Sequence, residues 1–121
     1  MKVLIVEDEA LLAMSYKMAL EEGEFEVVGI ASSADEAFRL SVTKKPEVVL
    51  MDITLKGELD GIDSAKFIRT NYNIPIIFIT GNTDEMTKKR ALEVKPRGYL
   101  EKPVDCEKLH QALCADNSLD V

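Results

Sequence analysis

Short runs that are apolar at every position constrain this chain most. Val3-Leu4-Ile5-Val6, Val48-Val49-Leu50-Met51 and Ile76-Ile77-Phe78-Ile79 show no alternation with polar residues. A strand wetted on one face alternates, so runs like these belong to a parallel sheet covered by helices on both faces. Two further runs, Phe25–Ala31 and Gly98–Glu101, carry Glu26, Gly29 and Glu101 and suit the sheet's edges. With Lys2–Val6, Val48–Met51 and Pro75–Thr80 as the central strands, five amphipathic stretches follow the five strands in turn. These are Ala10–Glu22, Ala34–Thr43, Ile62–Tyr72, Glu85–Val94 and Cys106–Ala115, read as helices. Five strand–helix pairs make an α/β protein, and edge placement of the second and fifth strands gives the doubly wound order 2-1-3-4-5.

Helix punctuation agrees. Ser33-Ala34-Asp35-Glu36 has capping-box spacing, in which hydroxyl and carboxylate each satisfy an orphan amide. Pro46 and Pro75 precede strands, and Asp105 can cap the last helix. The apolar stripes Ala34, Ala37, Phe38, Ser41 and Ile62, Ala65, Ile68 have helical spacing and read as core.

Composition excludes several classes. A chain of 121 residues holds one ordinary domain, expected over residues 1–115, with 116–121 a tail or the start of a linker. Its net charge of −7 argues against direct nucleic-acid binding, which needs clustered Lys and Arg. No apolar run is long enough to span a bilayer, and Met1-Lys2-Val3 enters a strand with no leader pattern, so a cytoplasmic location is expected. Cys106 and Cys114 suit free thiols better than a disulfide framework, and with His110 they are too few for a structural zinc site.

In a doubly wound sheet, ligands bind beyond the carboxyl ends of the strands. Glu7 and Asp8 follow the first run, Asp52 the third, Thr80 ends the fourth and Lys102 follows the fifth. Crowded carboxylates raise one another's pKa unless a cation lies among them, and Mg²⁺ is the hard, oxygen-seeking ion that fits such a set. One carboxylate could then attack phosphorus to form an acyl phosphate, with Lys102 and Thr80 of the right type to receive phosphoryl oxygens.

Glu7-Asp8, Met51-Asp52, Asp60-Gly61, Ile79-Thr80 and Tyr99-Leu100-Glu101-Lys102-Pro103, in this order and spacing, resemble the receiver domain of bacterial two-component response regulators. The resemblance covers residues 2 to about 115 and implies a flavodoxin-like fold with five helices on two faces. It implies that Asp52 is the phospho-acceptor, fed by a sensor histidine kinase or phosphotransfer protein. Glu7 and Asp8 would hold Mg²⁺ together with Asp52 and the backbone carbonyl of Thr54. Lys102 would pair with the phosphoryl group, Lys102-Pro103 would be a cis peptide, and Thr80 and Tyr99 would form the switch. A downstream effector would read the face made by the fourth helix, fifth strand and fifth helix. Pairing of two copies through the fourth and fifth helices is a family habit that the sequence leaves open.

Departures from the family pattern matter too. Lys56 stands where proline is commoner, and the segment from Asp52 to Asp60 has one extra residue, with Gly57 lending it freedom. Gly81 replaces a frequent alanine. Thr54 and Asn82 occupy the positions that tune phosphoryl lifetime, and neither is acidic, so slow self-dephosphorylation is expected.

The bland alternatives are a solvated Glu7, an ordinary edge aromatic at Tyr99, a solvated charge run at Lys88-Lys89-Arg90, and no chemistry at His110. Met14 and Met18 fit a kinase-docking surface or core packing equally. Two rival functions are a receiver-like docking module that works without phosphorylation and an aspartyl-phosphate hydrolase. The hydrolase normally needs a second Asp where this chain has Thr54.

Overall fold

The computed structural model describes residues 1–55, 60–81 and 84–114. Its elements run β1 Lys2–Val6, α1 Ala10–Glu21, β2 Glu26–Ala31, α2 Ala34–Lys44, β3 Val48–Asp52, α3 Gly61–Tyr72, β4 Ile76–Thr80, α4 Glu85–Glu93, β5 Gly98–Glu101 and α5 Cys106–Cys114. All strand pairs are parallel, in the order β2-β1-β3-β4-β5, as the edge argument requires. Boundaries differ from the sequence reading by a residue or so. The difference that matters is at β3, whose ladder extends through Asp52, paired with Ile79. Ala115, expected to end the last helix, lies outside the described residues, as does the tail.

The central strands divide their side chains between two cores. Leu4, Val6, Val49, Met51, Ile76 and Phe78 face Ala37 and Leu40 of α2, Ile62, Ala65 and Ile68 of α3, and Ala91 of α4. Val3, Ile5, Val48, Leu50, Ile77 and Ile79 face Ala13, Tyr16 and Leu20 of α1 and Leu109 and Leu113 of α5. That two-sided burial explains the missing alternation, since each face of each central strand meets apolar side chains.

The α2 cap differs from the expected box. Ser33 Oγ accepts the Glu36 amide at 3.3 Å, but Glu36 Oε1 turns back to the amide and hydroxyl of Ser32, at 3.0 and 2.7 Å. The hydroxyl beside the amide gives this carboxylate two donors at Ser32, and they hold its pKa below the usual range. Asp105 accepts the Lys108 amide at 2.8 Å, as expected of the α5 cap. Among the described residues no helix is long and apolar enough to cross a membrane.

Candidate functional site

Strand register brings the chemistry together. Glu7 directly follows β1, and its amide bonds the Ala31 carbonyl at 2.9 Å. Asp52 closes β3, and Ile53 N–H donates to Ile79 O at 3.3 Å. Lys102 follows β5, with its amide on Thr80 O at 2.8 Å and a cis peptide to Pro103. These ladder ends place oxygens of Glu7, Asp8 and Asp52 within 4.8 Å of one another.

Glu7 and Asp52 are each 3% exposed, so a solvated Glu7 is ruled out. Lys102 Nζ lies 3.5 Å from Glu7 Oε2 and 3.5 Å from Asp52 Oδ2, one ammonium facing two buried carboxylates. Burial, then the neighbouring Asp52 charge and a hydrogen bond to it, raise the Glu7 pKa to about 7. Burial alone would lower Lys102, but Asp52 and Glu7 together outweigh it and raise its pKa. The second oxygen of each acid is held locally. Glu7 Oε1 accepts the Glu9 amide at 3.1 Å, and Asp52 Oδ1 accepts both the amide and the hydroxyl of Thr54 at 3.0 Å.

Beneath the acceptor loop, Gly61 N–H donates to Ile53 O at 2.9 Å, and a Cβ at Gly61 would overlap the Asp52 carbonyl oxygen. Only glycine allows α3 to start this close to β3. Its neighbour Asp60 caps α3, with Oδ1 accepting the Asp63 amide at 2.9 Å.

A buried carboxylate at a β3 terminus, flanked by two acids after β1 and a lysine after β5, now has a family to be compared with. The family model described as "Response regulator receiver domain" matches residues 3–114. The chain belongs to the receiver-domain family of response regulators. Among curated relatives, the transcriptional regulatory protein PdtaR of Mycobacterium tuberculosis is 36% identical over 112 residues, covering 93% of this chain and 54% of the relative. The alkaline phosphatase synthesis transcriptional regulatory protein PhoP of Bacillus subtilis is 32% identical over 103 residues, covering 84% of this chain and 42% of the relative. The receiver thus spans about half the length of these relatives. Among solved structures, the signal receiver domain of a modulated diguanylate cyclase from Desulfovibrio desulfuricans G20 matches with TM-score 0.87 and 41% identity, covering 93% of this chain and 89% of that one.

The structure sorts the receiver's remaining sequence candidates. Thr80 is fully buried at the end of β4. Tyr99 is partly buried on β5 against the α2–α3–α4 core, with Lys88 Nζ 5.7 Å from its ring centre. Asn82, Lys56 and Gly57 lie outside the described residues.

One of the other bland readings gives way and two stand. Met14 and Met18 are 47% and 63% exposed, so core packing is wrong for both, because their face of α1 turns away from the sheet. Arg90 is exposed, as expected of a solvated charge run, and its guanidinium also reaches Asp60 Oδ2 at 3.3 Å and Asp63 Oδ1 at 3.5 Å. His110 has a structural role, its Nε2 2.9 Å from Ala19 O on α1 and 3.6 Å from Cys106 Sγ. The sequence reading passed over Tyr16, which is buried on α1 and whose phenol is pushed up by burial, with Lys102, Glu7 and Asp52 acting on it. Its aromatic side chain among smaller core residues was the only signal.

Proposed function

We propose that Asp52 accepts a phosphoryl group from the phosphohistidine of a sensor kinase or phosphotransfer protein. An Asp52 oxygen forms a bond to phosphorus as the donor's N–P bond breaks, and the leaving imidazole recovers the electron pair and takes a proton. The observation that carries this reading is the burial of Asp52 beside Lys102, the one cation among the described residues that pairs with it, which it shares with Glu7, so that two buried carboxylates divide one positive charge.

The donor set suits Mg²⁺. Three carboxylate oxygens within 4.8 Å are hard ligands, and the raised Glu7 pKa marks a charge deficit that a divalent ion removes. Glu7, Asp8, Asp52 and the Thr54 carbonyl would hold it, and bound there it supplies charge neutralisation for the phosphoryl oxygens. Lys102 provides a further positive charge, while Thr54 fixes the rotation of the Asp52 carboxylate. Thr80 would then turn toward the phosphoryl group with Tyr99 following, which changes the partner preference of the α4–β5–α5 face and so the activity of a downstream effector. Thr54 and Asn82 offer no base to an attacking water, which supports slow loss of the phosphoryl group.

Intact mass after incubation with acetyl phosphate tests the reading. One added phosphoryl group is expected for wild type with Mg²⁺, and none without Mg²⁺ or in Asp52→Asn. Addition that persists in Asp52→Asn would sink the assignment. No addition to wild type from acetyl phosphate or from phosphohistidine proteins would favour a docking module that works without phosphorylation.

A further inference from the structure

Helix α4 is short and poorly anchored by apolar contact. Ala91 is its one buried residue, whereas α3 buries Gly61, Ile62, Ser64, Ala65 and Ile68. Position must therefore come partly from polar ties. The Arg90 guanidinium supplies two, with Nη1 on Asp60 Oδ2 at 3.3 Å and Nη2 on Asp63 Oδ1 at 3.5 Å. Asp63 sits in the first turn of α3, and Asp60 just before it caps that helix through its other oxygen. The residue after Asp60 is Gly61, which is packed on the Asp52 backbone.

A continuous line of contacts thus runs from the Asp52 backbone through Gly61 and Asp60 to Arg90 and α4. We infer that Arg90 is a positioning residue that clamps α4 to the start of α3, so that any displacement of α4 on phosphorylation must break these ties. The clamp's coupling to phosphorylation rests on the Asp52 reading above. All three side chains are between about a third and a half exposed, so each ion pair is weak and screened by salt. Weakness suits a switch, because a strong tie would hold α4 against the effect of one added phosphoryl group.

Amide hydrogen exchange of residues 85–93 in the unphosphorylated full chain tests the clamp without any phosphoryl chemistry. Arg90→Ala is expected to speed exchange of α4 by about two- to tenfold, with the amides of β1, β3 and β4 unchanged. Asp63→Asn, which keeps the Asp60 cap, should give part of that effect, and the swap of Arg90→Asp with Asp63→Arg should recover part of the protection. Half-molar NaCl should move wild type toward Arg90→Ala and leave Arg90→Ala itself unmoved. Unchanged α4 exchange in Arg90→Ala, or equal acceleration in the central strands, overturns the clamp.

Beryllofluoride with Mg²⁺ tests the coupling. Arg90→Ala is expected to bind it about two- to fivefold more tightly than wild type. Faster α4 exchange with unchanged affinity overturns the coupling and leaves a static clip. If wild type takes up neither beryllofluoride nor a phosphoryl group, the Asp52 reading fails, and the exchange result alone decides the clamp.

Discussion

Thr54 gives both its amide and its hydroxyl to one oxygen of Asp52, each at 3.0 Å, which leaves Oδ2 turned to Lys102 at 3.5 Å. The residue at this position therefore sets the direction of the carboxylate as well as lining its approach. Thr54→Val keeps the shape and the amide bond but removes the hydroxyl donor. Thr54 is exposed, so the variant should lose less than about 1.5 kcal/mol of stability. Phosphorylation by acetyl phosphate, followed by intact mass against time, is expected to slow by about two- to fivefold, a loss of that same order in free energy. Equal rates in the two proteins would show that the hydroxyl does not orient Asp52.

Gly61 fixes how near α3 comes to the acceptor strand. A methyl there meets the Asp52 carbonyl oxygen and Ile53 Cα, both backbone atoms that cannot rotate away. Gly61→Ala is expected to cost at least about 2 kcal/mol, since overpacking against backbone forces a chain shift. The urea midpoint gives the stability, and acetyl phosphate labelling shows whether the displaced strand end still reacts. A variant as stable as wild type would mean that the helix does not start this close.

The alternation of wholly apolar strands with amphipathic helices made the topology legible, because Val48 to Met51 can be apolar throughout only if both faces are covered. Glu7, Asp8, Asp52 and Lys102 were legible for a related reason: each lies at the carboxyl end of a strand, the first three after wholly apolar runs and Lys102 after the edge strand, so parallel register brings them together. Arg90 and Asp60 were not. They lie 30 residues apart on different helices, and a charge run such as Lys88-Lys89-Arg90 looks the same whether or not an acid faces it. Met14 and Met18 misled because methionine is apolar in composition, while its side of α1 is decided by the rotation of the helix on the sheet.

Thr80 is fully buried, and its carbonyl is tied to the Lys102 amide, so its backbone is held at the end of β4. Thr80→Ala should leave acetyl phosphate labelling of Asp52 within about twofold, because the ion pairs of Lys102 remain; a change that small is under 0.5 kcal/mol. Tyr99 is expected to lose its response. Ring resonances of Tyr99, recorded with and without beryllofluoride, should shift in wild type and stay fixed in Thr80→Ala. A full Tyr99 shift in the variant would break the proposed order of events.

Glu7 makes the stability and the ion affinity depend on pH in opposite ways. Its folded pKa of about 7 lies above the ordinary 4.5, so the folded protein holds a proton that the unfolded chain has released. The stability this contributes is complete below pH 4.5 and is lost as pH rises toward and through 7. The loss is at most about 3 kcal/mol, and Glu7→Gln, which cannot ionise, should escape it. Urea midpoints of the two proteins are expected to diverge between pH 5 and pH 8, with Glu7→Gln the more stable at the alkaline end. Mg²⁺ reverses the preference, because a carboxylate must release its proton to hold the ion. Wild-type affinity measured by calorimetry should therefore rise about fivefold from pH 6 to pH 7, about tenfold by pH 8, and level off above that. In Glu7→Gln it should be weaker and nearly flat over that range. An equal slope in both proteins would place the titrating group elsewhere, and the charge deficit at Glu7 would no longer support an ion at this site.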